Sequence, residues 1–240
     1  MTVLLAVVSL ALAAAAAWFL APFALRRHEE RALARRCRER RALVLSYDDG
    51  PGQETTVRLL DLLAERRASA AFFPLGRNMA ARPKIAARMV AEGHVVGSHT
   101  AEHSNAWKTG PWTAARDRDL GVQQVEEIGG SGRLFRPPYG KLTLAGWIDA
   151  RRKGIRLAWW TLDSRDSWDR RTIDAILTEL DVAGGGVVLM HDADAYERSG
   201  PGHADFVVEL TRRLLDHAHA HRYQVLRLPD LLPNSGGGGR

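Results

Sequence analysis

The stretch "ALVLSYDDGPG", residues 42–52, decides how the rest of the chain is read. An apolar run gives way to two adjacent carboxylates, Asp48 and Asp49, and then to a Gly-Pro turn. The run reads as a strand with both acids at its carboxyl end. Like charges side by side repel unless something positive sits beside them, so the pair asks what it holds.

From this strand onward, short apolar runs alternate with amphipathic stretches, the pattern of an α/β domain with a mainly parallel sheet. Strands are expected at Ala42–Tyr47, Ser69–Pro74, His94–Ser98, Arg133–Arg136, Arg156–Leu162, Gly186–His191 and Tyr223–Arg227. Helices are expected at Glu54–Arg67, Lys84–Glu92, Ala114–Ile128, Leu142–Lys153, Thr172–Val182 and His203–Ala220. Repeated strand–helix units give a barrel or a doubly wound sheet, and both carry their active site at the carboxyl ends of the strands. Polar groups cluster there: Asp48 and Asp49 after the first strand, His99 and His103 after the third, Arg136 to Tyr139 after the fourth. Asp163 and Asp166 follow the fifth, and His191 closes the sixth.

Residues 3–25 carry no charged side chain, and 23 residues of helix are long enough to span a bilayer at ~1.5 Å per residue. Met1-Thr2 offers no positive start for a cleaved signal peptide, so residues 1–25 read as a retained single-pass anchor in the cell membrane. Residues 26–41, "RRHEERALARRCRERR", hold eight Arg and three Glu, a basic juxtamembrane collar with a local excess of five positive charges. The whole chain has a formal charge of +6, so the domain at 42–232 is nearly neutral. Nucleic acid is therefore not an expected partner, whereas anionic membrane lipids are, through residues 3–41. The positive-inside tendency favours the cytoplasmic side over the outer side for the collar and the domain. Residues 233–240 read as a flexible glycine-rich tail. Cys37 is the single cysteine, and a domain of this size needs no disulfide to fold.

His99 and His103, in "GSHTAEH", have the i, i+4 spacing that sets two imidazoles on one face of a helical turn, about 6 Å apart. With a carboxylate from the acidic pair they make a His, His, Asp set for a zinc-type site that keeps an open position. Adjacent side chains on extended backbone point to opposite sides, so one acid faces the metal while the other reaches the attacking water. By contrast, His217, His219 and His221 in "DHAHAH" sit near a helix end, where cations suit the dipole, and are assigned no metal.

Taken together, residues 42 to 232 resemble the polysaccharide deacetylase family, the NodB-homology carbohydrate esterases of family 4. "SYDDGP" resembles the TFDDGP motif, "HTAEH" the H[ST]xxH motif, and "RPPYG" the RxP[YF] motif. "DSRDSW" resembles the DxxDW motif, and "LMH" at 189–191 the closing Leu-x-His. The resemblance implies a distorted (β/α) barrel and a metal-dependent N-deacetylase acting on an N-acylated amino sugar. With the anchor, it points to a membrane-associated glycan or a polyprenyl-phosphate-linked sugar as substrate; an outward-facing domain would meet peptidoglycan or an exopolysaccharide instead. It implies one divalent ion, zinc or else cobalt or another ion, held by Asp49, His99 and His103. Asp48 would then be the general base, with Arg136 keeping it ionised. His191 would be the proton donor to the amine, with Asp166 as its acidic partner and Asp163 the alternate. The Tyr139 backbone N–H would stabilise the oxyanion, and Leu189 and Trp168 would line the pocket for the acyl methyl.

Two positions depart from the family pattern. Tyr47 stands where a Phe is usual, and Ser167 separates Asp166 from Trp168. The insertion leaves Trp159 or Trp160 as alternative pocket walls. It also leaves formyl as an alternative acyl group and a non-catalytic metal-binding membrane scaffold as an alternative role, while the resemblance to domains that cleave other C–N bonds leaves open another C–N amide hydrolase activity.

Overall fold

The strand that opens the domain is its centre: all seven residues of β1 (Ala42–Asp48) are buried. In the computed structural model the described residues are 2–194, 196 and 202–233, so the expected tail lies outside them except for its first residue. Around β1 the chain forms α1 (Thr2–Glu39), α2 (Thr55–Glu65), β2 (Ala71–Phe73), α3 (Gly76–Ala81), α4 (Pro83–Ala91), β3 (Val95–Val96) and α5 (Pro111–Glu127). There follow β4 (Leu134–Phe135), α6 (Leu144–Arg152), β5 (Arg156–Leu157), β6 (Leu162–Asp163), α7 (Ile173–Ala183), β7 (Gly186–His191), α8 (His203–Ala220) and β8 (Gln224–Val225). The helix at Gly76–Ala81 was not expected; it is under two turns long, too short to show a period.

Every strand pairing is parallel. The sheet runs β3-β2-β1-β7-β6 with β8 also on β1, and β4 and β5 form a second pair joined to the first by a bridge between Ser98 and Phe135. The single strand expected at Arg156–Leu162 is divided. Ala158 N–H donates to Phe135 O while Thr161 N–H donates to Val187 O, so a few residues reach both edges of the sheet. This one segment closes the sheet into a distorted barrel.

Alternation along β1 sorts its side chains. Leu43, Leu45 and Tyr47 pack with Leu59 and Leu63 of α2 and Leu210 and Leu214 of α8. Ala42 and Val44 face the other way, into a cluster with Phe73, Phe135, Leu33 and Cys37. Ser46 and Asp48 share that inner side, so the alternation that buries the core also aims Asp48 inward.

Leu33 and Cys37 belong to α1. The collar read at 26–41 is, up to Glu39, the second half of this one continuous helix, and it lies against the barrel. Glu29 accepts from Trp159 Nε1 at 2.6 Å and pairs with Arg151. Arg38 donates to Ala183 O in the last turn of α7, where a cation meets the negative end of the helix dipole. Arg36 and Arg40 donate to the carbonyls of Leu231 and Asp230. The first half of α1 is different. Its 18-residue window has a mean hydropathy of 2.5 and is not buried, which is the length and apolarity of a membrane span or a signal sequence.

Leu33 is 2% exposed, so Leu33→Ala should leave a cavity and cost about 2–5 kcal/mol. Chemical denaturation of the full chain in neutral micelles, followed by the near-UV signal of the domain tryptophans, measures this. An unchanged midpoint would mean that the helix is not part of the folding unit.

Candidate active site

β1 delivers Asp48 as its last residue, and Asp49 follows with φ of 73°. The two carboxylates are separated by this left-handed residue and not, as expected, by the alternation of extended backbone. Such a conformation is costly outside glycine and persists where the surroundings hold it. Here they do: Asp49 N–H donates to Phe73 O at 3.2 Å, and Asn78 Nδ2 donates to Asp49 O at 2.7 Å.

Beneath the turn lies Asp192, buried directly after β7. It accepts from Gly50 N–H at 3.1 Å and from Thr56 Oγ1 at 2.7 Å. A Cβ on Gly50 would fall 2.2 Å from the Asp192 carboxylate, so only glycine fits there. Burial pushes the Asp192 carboxyl up to about 7. Asp194 accepts from the backbone N–H groups of Gln53, Glu54 and Thr55 at the start of α2. Neither acid was singled out from the sequence; the signal was the alternating "HDAD" after the sixth expected strand.

His99 and His103 stand on a loop, not on the expected helical turn, and their ring centroids are 5.1 Å apart. Thr100 and His103 have φ of 77° and 63°, which folds the loop back on itself. Asp117 of α5 gathers it, accepting from the N–H groups of Ala101, Glu102 and Ser104. Gly121 allows the approach, because a Cβ there would lie 2.4 Å from the carbonyl carbon of Thr100. A glycine in the middle of an amphipathic helix was the legible trace of this contact.

Asp49 Oδ1 is buried without a hydrogen-bond partner, 3.4 Å from His99 Nε2 and 3.3 Å from His103 Nε2. Each of the three residues offers a ligand atom within 4.8 Å of the others. His99 Nδ1 lies 2.7 Å from Arg136 O, which can only accept, so Nδ1 carries the proton and Nε2 keeps its lone pair. Burial lowers His99 to about 3, so the ring stays neutral. An orphaned carboxylate oxygen facing the lone pair of His99 Nε2, with His103 Nε2 beside it, fits a divalent cation. A second cluster of possible ligands, Asp181, His217 and His221, lies on the surface, with His217 Nε2 2.9 Å from Asp181.

Arg136 joins the halves of the site. It is 0% exposed; Nη1 donates to Asp48 Oδ1 at 2.7 Å and to Ser46 Oγ at 3.0 Å, and its guanidinium lies 4.1 Å from the centroid of the Phe73 ring. Burial pushes the Asp48 carboxyl up, against the pull of Arg136. The other carboxylate oxygen, Oδ2, lies 3.8 Å from His99 Nε2.

Across β7, Asp166 grips His191 twice: Oδ1 is 2.8 Å from Nδ1, and Oδ2 accepts the backbone N–H at 2.8 Å. Burial alone would lower the His191 pKa, but Asp166 overrides it and raises it to about 10. Asp163, the alternate, instead accepts from the backbone N–H of Arg165. Tyr196, which sequence reasoning missed, donates to Asp49 Oδ2 at 3.1 Å and packs edge-on to His191.

The remaining expected residues are spread around the rim. Tyr139 has φ of 57°, and its half-exposed ring packs 4.6 Å from that of His103. Leu189 is buried in β7. Trp168 is 44% exposed, with the Arg165 guanidinium 5.1 Å above it. Trp159 is committed to α1 through Glu29, whereas Trp160 lies beside both Arg136 and Arg26.

Residues 35–158 match the profile of the polysaccharide deacetylase family. A chitooligosaccharide deacetylase of Sinorhizobium fredii is 31% identical over 201 residues, covering 78% of this chain and 90% of that protein. The crystal structure of a peptidoglycan N-acetylglucosamine deacetylase superposes with a TM-score of 0.71 at 25% identity, covering 81% of this chain and 89% of that one. A family 4 carbohydrate esterase from Streptomyces lividans, in complex with acetate, gives a TM-score of 0.64 at 26% identity, over 75% and 88% of the two chains.

Replacing Asp166 by Asn removes the charge that holds His191 up. Its pKa should then fall from about 10 towards the ordinary histidine value of about 6.5, because only the charges of Asp49 and Asp48 are left to oppose burial. An imidazole titration followed by NMR reads this directly; a His191 that titrates as before would deny the pair any electrostatic part.

Proposed function

The chain belongs to the polysaccharide deacetylase family, a hydrolase of non-peptide carbon–nitrogen bonds, and we propose that it deacetylates an N-acylated amino sugar on a membrane-associated glycan or lipid-linked sugar. One observation carries the reading: a buried acid paired to arginine and an imidazolium paired to aspartate, both beside a three-donor metal cluster. Amide hydrolysis needs both partners, because an amine leaves poorly until it is protonated.

Asp49, His99 and His103 would hold the ion, for which zinc is the first choice and cobalt a substitute. When bound, such an ion polarises the acyl carbonyl and makes water more acidic. The bond from Arg136 occupies Asp48 Oδ1 and leaves Oδ2 to take the proton of the attacking water. As the carbonyl becomes tetrahedral, the Tyr139 backbone N–H donates to the oxyanion, a contact typically worth about 3 kcal/mol. The positive φ of Tyr139 supports this role, since strain at a rim residue is retained where geometry matters. His191 then gives its proton to the leaving amine, and Asp166 steadies the imidazolium. Leu189 and the tryptophans border the acyl group, with Trp168 forming an open side of the pocket.

Acetate release from N-acetyl chito-oligosaccharides should disappear on chelation and return with zinc or cobalt. Asp48→Asn and His191→Ala should each lower kcat by about 10²–10⁴ while the bound metal, counted by elemental analysis, stays the same. Equal rates in wild type and both variants would favour a metal-holding scaffold.

The pH profile supplies a separate check. The donor must be protonated, so the alkaline limb of activity should follow the His191 pKa, and Asp166→Asn should move that limb to lower pH. A limb that does not move would remove His191 from the donor role.

A further inference from the structure

The second half of α1 and β1 run in opposite directions along the barrel. From Arg26 to Glu39 the helix travels about 20 Å, and β1 returns about 20 Å from Ala42 to Asp48. The contacts agree with this register. The Glu39 end of α1 lies beside Gly185 and β7's first residues, at the amino ends of the strands. The Arg26 end donates to Gly140 O at 2.7 Å, next to Tyr139, and stacks 4.5 Å from Trp160. The apolar half of α1 therefore leaves the domain on the side where Asp48, Asp49 and His191 open. If that half crosses a bilayer, the active-site mouth faces the membrane.

Below the Arg26 end of the helix a groove of about 550 Å³ lies between α1 and the segment from Trp160 to Arg171, reaching Asp163 at its inner end. Five guanidinium groups line it: Arg26, Arg27, Arg31, Arg165 and Arg171. Three carboxylates oppose them. Glu30 is shared by Arg26 and Arg27, Glu179 pairs with Arg171, and Asp163 accepts a backbone N–H. Arg165 also pairs with Asp169, just outside the lining, at 3.3 Å, so one positive charge remains in excess, and Arg31 has no acidic partner among the described residues. Arg26, Arg27 and Arg31 follow the last residue of the apolar run within about 9 Å along the helix. The headgroup layer beside a ~30 Å hydrocarbon core is about 5–8 Å deep, so Arg26 and Arg27 fall within it and Arg31 at its outer edge. Asp163 continues the groove to the catalytic groups: it pairs with Leu189 in register, two residues before His191.

We propose that this arginine groove binds a phosphate group held at the membrane surface, and so seats a phosphate-linked, lipid-borne amino sugar with its acyl group in the active site. Guanidinium forks suit phosphate oxygens, and a groove of this size admits a phosphate or diphosphate with its water. The inference rests on the deacetylase reading for its substrate, but the groove can be tested without turnover.

The full chain in phosphatidylcholine nanodiscs is titrated with inorganic pyrophosphate by calorimetry. Saturable binding is expected, weakened about ten-fold or more in an Arg31→Ser, Arg165→Ser double variant and recovered by Arg31→Lys, Arg165→Lys. Both variants retain the same candidate metal ligands, so a loss isolates the groove. A kinetic arm compares one N-acetyl amino sugar on a phosphate-linked lipid and on a phosphate-free lipid. A lower KM for the phosphate-linked lipid, abolished by the serine variant, assigns the phosphate to the substrate. Equal KM values, with turnover raised by phosphatidylglycerol in wild type but not in the serine variant, assign it to a lipid headgroup. No saturable pyrophosphate binding, or binding that the serine variant keeps, overturns the proposal. Failure to deacetylate either lipid or a chito-oligosaccharide would sink the deacetylase reading while calorimetry still decides the groove.

Discussion

The ion pair between Asp48 and Arg136 is the constraint on which the site depends. Both side chains are buried, and an uncompensated charge in such a place costs several kcal/mol, so each must hold the other. The pair also ties the end of β1 to the segment after β4. Through its carbonyl, Arg136 fixes the proton on His99 Nδ1 and frees Nε2. One residue thus orients an acid and a candidate metal ligand. The tether keeps Asp48 Oδ2 and His99 Nε2 3.8 Å apart, close enough to act on one substrate.

The loops around this pair are held in conformations that side chains rarely choose. Asp49, Thr100, His103 and Tyr139 all have positive φ, and all lie at the carboxyl ends of strands. Strain of this kind needs compensation from firm neighbours. Asp192 under Gly50 and Asp117 under the histidine loop provide it, each accepting backbone N–H from the turn it supports. Neither needs to touch a substrate to matter. They fix where the ligand atoms point, and a loop free to relax would let those atoms part.

Much of this was legible in the chain. The strand Gly186–His191 and the helix His203–Ala220 lie where periodicity put them, because each is long and strongly patterned. The segment Arg156–Leu162 was not legible as two strands: its residues suit one extended run, and only closure of the barrel divides it between β4 and β7. Asp117, Asp192 and Tyr196 were missed because their partners are distant in sequence, and an acid after a strand or inside a helix looks like ordinary surface. The charge of residues 26–41 was visible, but its use was not. Several arginines of that run serve helix ends and carbonyl groups of the barrel, while others line the groove.

The α/β class, the apolar amino-terminal segment and the residue types at each strand end follow from local periodicity and composition. Which atoms meet follows from long-range packing. Hydrogen-bond and ion-pair geometry is set by closure of the barrel and by left-handed residues whose conformation no local preference dictates. The same packing sets α1 and β1 antiparallel, which brings the apolar half of the helix and the active-site mouth to the same side of the molecule.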